Sequence, residues 1–318
     1  MTTAIAERSR APFRHEALFY ANHDGFMRGT TSFIREGLAS HEPALVVVNA
    51  AKIDHLQREL DDATGLVRFA DMDEVGTNPA RIIPAWRDFV DEHAGLRPFR
   101  GIGEPIWAAR TAAELVECQR HELLLNLAFA DTPAFRLLCP YDTVALEPAL
   151  IDEAQRSHPS LVDGGEERPS AIYRGLDEVV QPLADPLPPP PFDVPAYRFR
   201  DGSELAEVRA HVEQRAHEAG LSPARVADVI LAVNELAANS LRHGGGRGTL
   251  RMWSEPGTLV CEVQDRGAIG DPLIGRVRPP SHPDAGRGLW TVNQLCELVQ
   301  IRSSPSTGTV VRVHVRGA

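Results

Sequence analysis

Lysine is nearly absent from this chain. It holds 33 lysines and arginines in 318 residues, and Lys52 is the only lysine. Any phosphate contact therefore falls to arginine, to backbone N–H groups or to a metal. Lys52 stands outside any glycine-rich turn: no GxxxxGK[ST] occurs, and no GxGxxG follows the first apolar run. The two common phosphate-cradling turns are thus excluded from the first half of the chain. Cysteine is scarce as well. Cys118, Cys139, Cys261 and Cys296 form no CxxC pair, and a disulfide framework is not expected. Three of them sit in apolar helix or strand patterns, where free cysteine behaves as a small hydrophobe. No apolar run approaches the roughly 20 residues of a membrane-spanning helix. The first ten residues lack the apolar core of an export signal. The expected compartment is the cytoplasm.

What remains is globular composition, with 43% hydrophobic and 24% charged residues, in a chain long enough for two domains. The net charge of −11 is unevenly shared. Residues 1–181 carry 18 basic against 29 acidic side chains, and residues 197–318 carry 15 against 13. An acidic first half argues against direct nucleic-acid binding, which needs a basic footprint. Between them, residues 182–195 contain seven prolines, including Pro188 to Pro191. Such a run reads as a stiff polyproline spacer, 182–196.

Residues 1–12 read as a disordered arm and 13–181 as the first domain. Apolar runs at 17–20, 44–48, 67–70, 99–103 and 135–139 read as strands. They alternate with helical patterns at 24–39, 52–61, 79–90, 113–129 and 148–156. Strand and helix in alternation predict an α/β domain, a parallel sheet with helices on both faces. Ligands of such sheets bind beyond the carboxyl ends of the strands. Gly101-Ile102-Gly103 is a lone GxG and reads as a turn. Glu117 and His121, four apart on one helix, have metal-ligand spacing but no third ligand by spacing, and read as a solvated face. Cys139 reads either as a core cysteine or as a sensing thiol at a strand end. His15-Glu16-Ala17-Leu18-Phe19-Tyr20, Gly103-Glu104-Pro105-Ile106-Trp107, Glu122 to Asn126, Cys139-Pro140-Tyr141-Asp142 and Ser157-His158-Pro159 together resemble the MEDS sensory domain. The resemblance implies a small-molecule ligand for this domain. The sensory candidates at strand ends or adjoining turns are His15, Glu104, Trp107, Cys139, Tyr141 and Asp142.

The second half is organised around residues 227–246. Val226, Val229, Ile230, Val233, Leu236, Ala237 and Leu241 share one helical face. Ser222 reads as N-cap, Pro223 as the first-turn residue, and Gly244 to Gly246 as the stop. Glu235 and Asn239 stand four apart, so an acid/base group lies beside an oxygen ligand suited to Mg²⁺. After this helix come Asp265-Arg266-Gly267 at the end of an apolar strand (259–263), Gly286-Arg287-Gly288-Leu289 opening a helix (289–296), and Gly308-Thr309 before a terminal strand (310–315). A short strand (197–199) and a helix (203–219) precede the whole set. His217-Glu218 only vaguely suggests a histidine kinase's phosphoacceptor box, because Gly220 breaks the helix before Pro223.

These signals, in this order over residues 197–318, resemble the GHKL ATPase superfamily, and most of all the anti-sigma-factor serine kinases. The resemblance implies an α/β sandwich that binds ATP and Mg²⁺. It implies that Asp265 accepts a hydrogen bond from the adenine amino group, with Gly267 leaving room for the ring. The usual second glycine of that box falls at Ile269, with Gly270 beside it. Asn239 is the implied Mg²⁺ ligand and Glu235 the implied general base. His243, Gly286, Arg287, Gly288, Leu289, Gly308 and Thr309 complete the implied nucleotide site, with 270–285 as a mobile lid. The implied partners are a sigma factor and its STAS-type antagonist, which is phosphorylated on serine; a homodimer also fits. Two other readings stay open. One is an ATP-binding partner switch without phosphoryl transfer. The other is a histidine kinase-like protein.

Overall fold

The computed structural model describes residues 12–60, 65–93, 98–175, 185–279 and 286–317. The expected arm at 1–12 lies outside them except for Pro12, as do residues 182–184 of the spacer and 280–285 of the lid. The chain divides into two units, Met1–Val179 and Val180–Ala318.

The first unit runs β1 (Arg14–Tyr20), α1 (His23–Ala39), β2 (Ala44–Val48), α2 (Ala50–Leu60), β3 (Val67–Asp71), α3 (Met72–Val75), α4 (Ile82–His93), β4 (Phe99–Gly103), α5 (Ala112–Ala128), β5 (Phe135–Asp142), α6 (Pro148–Ser157), β6 (Ser160–Asp163) and β7 (Glu166–Pro169). The sheet order is β3-β2-β4-β5-β1-β6-β7. Only the β6–β7 pair is antiparallel; the others are parallel. Every residue of β2 and β4 is buried. Both faces of the central sheet are therefore covered, as a parallel sheet requires. The β6–β7 hairpin was not anticipated. Its signal is Gly164-Gly165, both at positive φ (58° and 89°), a turn that matches strand twist.

Two sequence readings are corrected here. Gly101 and Gly103 lie in β4, as the apolar run at 99–103 predicts and against their reading as a turn. A Cβ at either would stand within 2.9 Å of the Trp86 ring, so the glycines make room for the largest core side chain. Strand β5 also continues past Cys139 to Asp142. Pro140 is tolerated in it because the β4 ladder already stops at Leu138.

The second unit begins with spacer residues that hold no helix or strand from 185 to 195. The spacer is not free there, because Arg312 donates to the Pro188 carbonyl at 2.7 Å. Then follow β8 (Ala196–Phe199), α7 (Leu205–Glu218), α8 (Pro223–His243), β9 (Gly248–Glu255), β10 (Thr258–Asp265), α9 (Arg287–Leu295), β11 (Leu298–Ser304) and β12 (Gly308–Arg316). The sheet order is β11-β12-β10-β9-β8, antiparallel throughout. Alternate strand residues, Leu259, Cys261 and Val263 on β10 and Val311, Val313 and Val315 on β12, join one core with the inward faces of α7, α8 and α9. All seven residues expected on the α8 face belong to that core or pack on it. Ser222 caps α8 through the Arg225 amide and Gly244 ends it. This unit is the expected α/β sandwich.

Candidate functional site

The second unit holds a cavity of about 370 Å³ between α8, the end of β10, the start of α9 and β12. That is large enough for a nucleoside-sized ligand. Leu236, Val263, Ile269, Ile274, Leu289 and Val311 supply apolar walls. Asp265 supplies the charge. Its Oδ2 accepts from the Ser240 hydroxyl at 2.6 Å and its Oδ1 from the Gly267 amide at 2.7 Å. Each carboxylate oxygen keeps lone-pair capacity for a further donor. The backbone around Asp265 is packed to its limit. A Cβ at Gly244 would stand 2.3 Å from the Asp265 Cγ, and one at Gly308 2.2 Å from its carbonyl oxygen. Gly308 also sits at φ +83°, a region that side chains avoid.

Ile269, where the resemblance expects a glycine, needs no special backbone here. Its amide donates to Ser303 Oγ at 2.8 Å. The Thr309 hydroxyl donates to the Gly267 carbonyl at 2.9 Å. Ser303, 2.8 Å from Thr309 Oγ1, must then donate to it. This relay ties the 267–269 loop to β11 and β12, and Ile269 becomes a wall of the cavity. Ser240 and Ser303 were missed in the sequence, since a lone serine carries no spacing signal.

At the cavity's other end α9 begins. Its N-cap, Gly286, is left-handed and makes no side-chain cap, so the cap residue itself leaves the first-turn amides open to a ligand. A Cβ at Gly288 would stand 3.0 Å from both Glu235 Oε2 and Asn239 Nδ2. The α8 pair thus faces the opening turn of α9. Arg242 lies 3.3 Å from Asn239 Oδ1, a contact near the outer limit of a hydrogen bond. Asn239, His243, Asp265, Gly267, Gly286, Gly288, Leu289 and Thr309 line the cavity; Glu235, Arg287 and Gly308 do not. Gly308 acts from beneath, by letting β12 approach Asp265, and Arg287 is exposed at the start of α9. The described part of the lid is held on α9 by the Asn293 amide, which donates to the Gly275 carbonyl at 2.8 Å.

In the first unit the six sensory candidates do not form one site. His15, Cys139 and Tyr141 are each 1% exposed; His15 and Cys139 lie within their strands rather than at the carboxyl edge, whereas Tyr141 is the last residue but one of β5. His15 is second in β1, and Cys139 lies within β5, opposite Ala17. Burial, and then the neighbouring His158, hold the His15 imidazole down at about 4. Burial, and then the Glu122 charge, push the Cys139 thiol well up, as for any buried thiol with no cation beside it. Glu104 belongs to a separate group at the carboxyl ends of the strands. There it accepts from Lys52 at 2.6 Å and from the Tyr20 hydroxyl at 2.6 Å. Trp107 lies under the Arg110 guanidinium, 3.8 Å from the ring centroid. Asp142 accepts the amides of Val144 and Ala145. Glu117 and His121 are not a solvated face: each is 1% exposed, and Glu117 binds Arg120 at 2.9 Å.

The family described as MEDS, the methanogen/methylotroph DcmR sensory domain, matches residues 14–159, and the histidine kinase-like ATPase domain matches residues 200–315. No curated protein matches the chain. The chain thus joins a MEDS domain to a histidine kinase-like ATPase domain, the combination of a signalling, ATP-binding regulator. Among the described residues no helix is long and apolar enough to cross a membrane.

Proposed function

We propose that the protein is a signal-responsive anti-sigma factor. In this reading its second domain binds Mg-ATP and phosphorylates a serine of a STAS-type anti-sigma-factor antagonist. One observation carries it: a single cavity is lined by the Asp265 carboxylate, by Asn239 and by the first turn of α9, and Glu235 stands beside that turn at Gly288, just outside the lining. The residues present fit the nucleotide. The apolar walls suit a flat base, and Asp265 has lone pairs for its amino group. The first-turn amides of α9, which Gly286 does not cap, suit phosphate oxygens. Asn239 is the residue to hold Mg²⁺, after Arg242 releases its amide oxygen. ATP supplies the transferable phosphoryl group. Phosphoryl transfer then needs little from the protein beyond positioning, charge neutralisation and a proton acceptor. Glu235, half-buried beside Gly288, is placed to take the proton of the incoming serine hydroxyl. The MEDS domain supplies the signal, and the sigma factor is held until unphosphorylated antagonist displaces it.

The test uses full-length protein, partners copurified from native cells, and radiolabelled ATP. Acid-stable phosphoserine on a partner, lost in Glu235→Gln, supports the reading. A partner that binds in an ATP-dependent way but never gains phosphate makes the protein a switch without transfer. Acid-labile phosphate makes it histidine kinase-like.

A further inference from the structure

Four ligand-type side chains converge beneath the centre of the first sheet. They are His15 from β1, Glu122 from α5, Cys139 from β5 and His158 just after α6. Their ligand atoms all lie within 4.8 Å of one another, and none of the four residues is more than 1% exposed. Neither the ATP site nor the Glu104 group involves them.

The hydrogen bonds around the cluster fix which atoms face inward. Asn126 donates its amide N–H to the Ser157 carbonyl at 2.7 Å. Its oxygen therefore faces His15 Nδ1, 3.1 Å away, and Nδ1 must carry the hydrogen. His158 Nδ1 lies 2.8 Å from the Ala154 carbonyl, which can only accept, so Nδ1 carries the hydrogen there too. Both imidazoles then turn a bare Nε2 lone pair inward. His15 Nε2 is 3.1 Å and His158 Nε2 3.2 Å from the same Glu122 oxygen, Oε2. Cys139 Sγ is 3.4 Å from His15 Nε2. Among the described residues, His158 Nε2 and the other Glu122 oxygen find no hydrogen-bond partner. Lone pairs gathered this closely in a dry interior repel unless something positive lies among them.

We propose that this cluster is a metal site, with His15 Nε2, His158 Nε2, Glu122 Oε2 and Cys139 Sγ as ligands of one zinc-class divalent ion. Metal–ligand bonds of about 2.0–2.3 Å around a tetrahedron put neighbouring ligand atoms about 3.3–3.6 Å apart. The contacts of 3.1, 3.2 and 3.4 Å already stand close to that spacing. Imidazole and thiolate favour zinc over magnesium or calcium. The second layer is also in place, since Asn126 and the Ala154 carbonyl each orient a histidine through Nδ1–H. Charge closes: a 2+ ion meets one thiolate and one carboxylate, which leaves a neutral buried site. On binding, the Cys139 S–H bond breaks, an S–metal bond forms and the proton leaves to solvent. With four protein ligands and no exposure, the site is structural. It pins α5 and the end of α6 to the two middle strands β1 and β5.

The experiment measures metal in the full-length protein, produced with zinc in the medium and without a polyhistidine tag or chelator. About one zinc per chain is expected, as for a closed structural site. Cys139→Ser and His158→Gln should lose it, whereas Cys118→Ser, whose thiol contacts the Pro105 carbonyl instead, should keep it. If the ligand variants fail to fold, wild-type protein stripped of metal and titrated with Co²⁺ decides the matter. A thiolate-to-cobalt charge-transfer band with intense tetrahedral visible bands is expected. Folded wild-type protein that carries no transition metal and gives no cobalt spectrum overturns the proposal. So does zinc that survives Cys139→Ser.

Discussion

The Ser240 hydroxyl donates a 2.6 Å hydrogen bond to Asp265 Oδ2, joining the last turn of α8 to the end of β10. The bond has two consequences. It fixes the carboxylate's rotation, and it leaves the outward lone pairs for a ligand. In the full-length protein, Asp265→Ala should therefore abolish measurable ATP binding. Ser240→Ala should weaken it about 10- to 100-fold, the equivalent of one hydrogen bond to a charged group. Isothermal calorimetry reads both. Unchanged affinity in Asp265→Ala would remove adenine recognition from this cavity.

Glu235→Gln separates binding from chemistry. The amide keeps the shape beside Gly288 but takes up no proton, and loss of a general base costs roughly 10²–10⁴-fold in rate. ATP affinity should stay near that of the unaltered protein while phosphate transfer falls. Transfer at the normal rate would mean that positioning alone suffices. Asn239→Ala, one turn on, should instead remove the Mg²⁺ dependence of nucleotide binding.

Many of the residues that line the second unit's cavity were legible because they come in ordered local boxes. Glu235 and Asn239 share a helix face, and Asp265 and Gly267 end one strand. Ser240 and Ser303 were not legible, because each acts across the fold on a backbone or carboxylate partner. Strand β11 went unread for a related reason: Gln300 and Arg302 are buried in it, against the usual pattern of polar residues facing water. The first domain shows the harder case. Helix α5 is buried nearly all round, with Glu114, Glu117, Arg120, His121 and Glu122 inside, so no polar face could be told from its sequence. His15 and Cys139 are 124 residues apart. Only the β1–β5 register, with His15 opposite Leu137 and Ala17 opposite Cys139, brings them together. Strands β1 to β5 were plain from their apolar runs, whereas β6 and β7 were not.

Gly101 and Trp86 offer a packing test in the first domain. A methyl group at 101 would stand 2.8 Å from both Trp86 Cζ3 and Leu137 Cδ1. Gly101→Ala should destabilise the domain by about 1–3 kcal/mol through overpacking. If Trp86 is the obstacle, the cost should shrink in a Trp86→Leu background, a coupling that a double-mutant cycle in urea measures. Strictly additive effects would place the strain elsewhere.

The four thiols make the last prediction. All are buried, and a thiol held neutral in a dry interior is a poor nucleophile. Burial above all pushes Cys118 from 9.0 up to about 12, and it raises Cys261 as well. A raised folded-state value means that the neutral thiol is favoured on folding. The resulting stability is complete below the unfolded value and is lost as pH climbs from about 9 toward 12. Two measurements follow. A chromogenic disulfide reagent near pH 8 should find no fast thiol in the native protein and all four after unfolding. The urea midpoint should fall steadily above pH 9, and less steeply in Cys118→Ser. One thiol that reacts at once in the folded chain would restore a redox-sensing cysteine; a midpoint flat from pH 8 to 11 would show that burial does not set these thiols' ionisation.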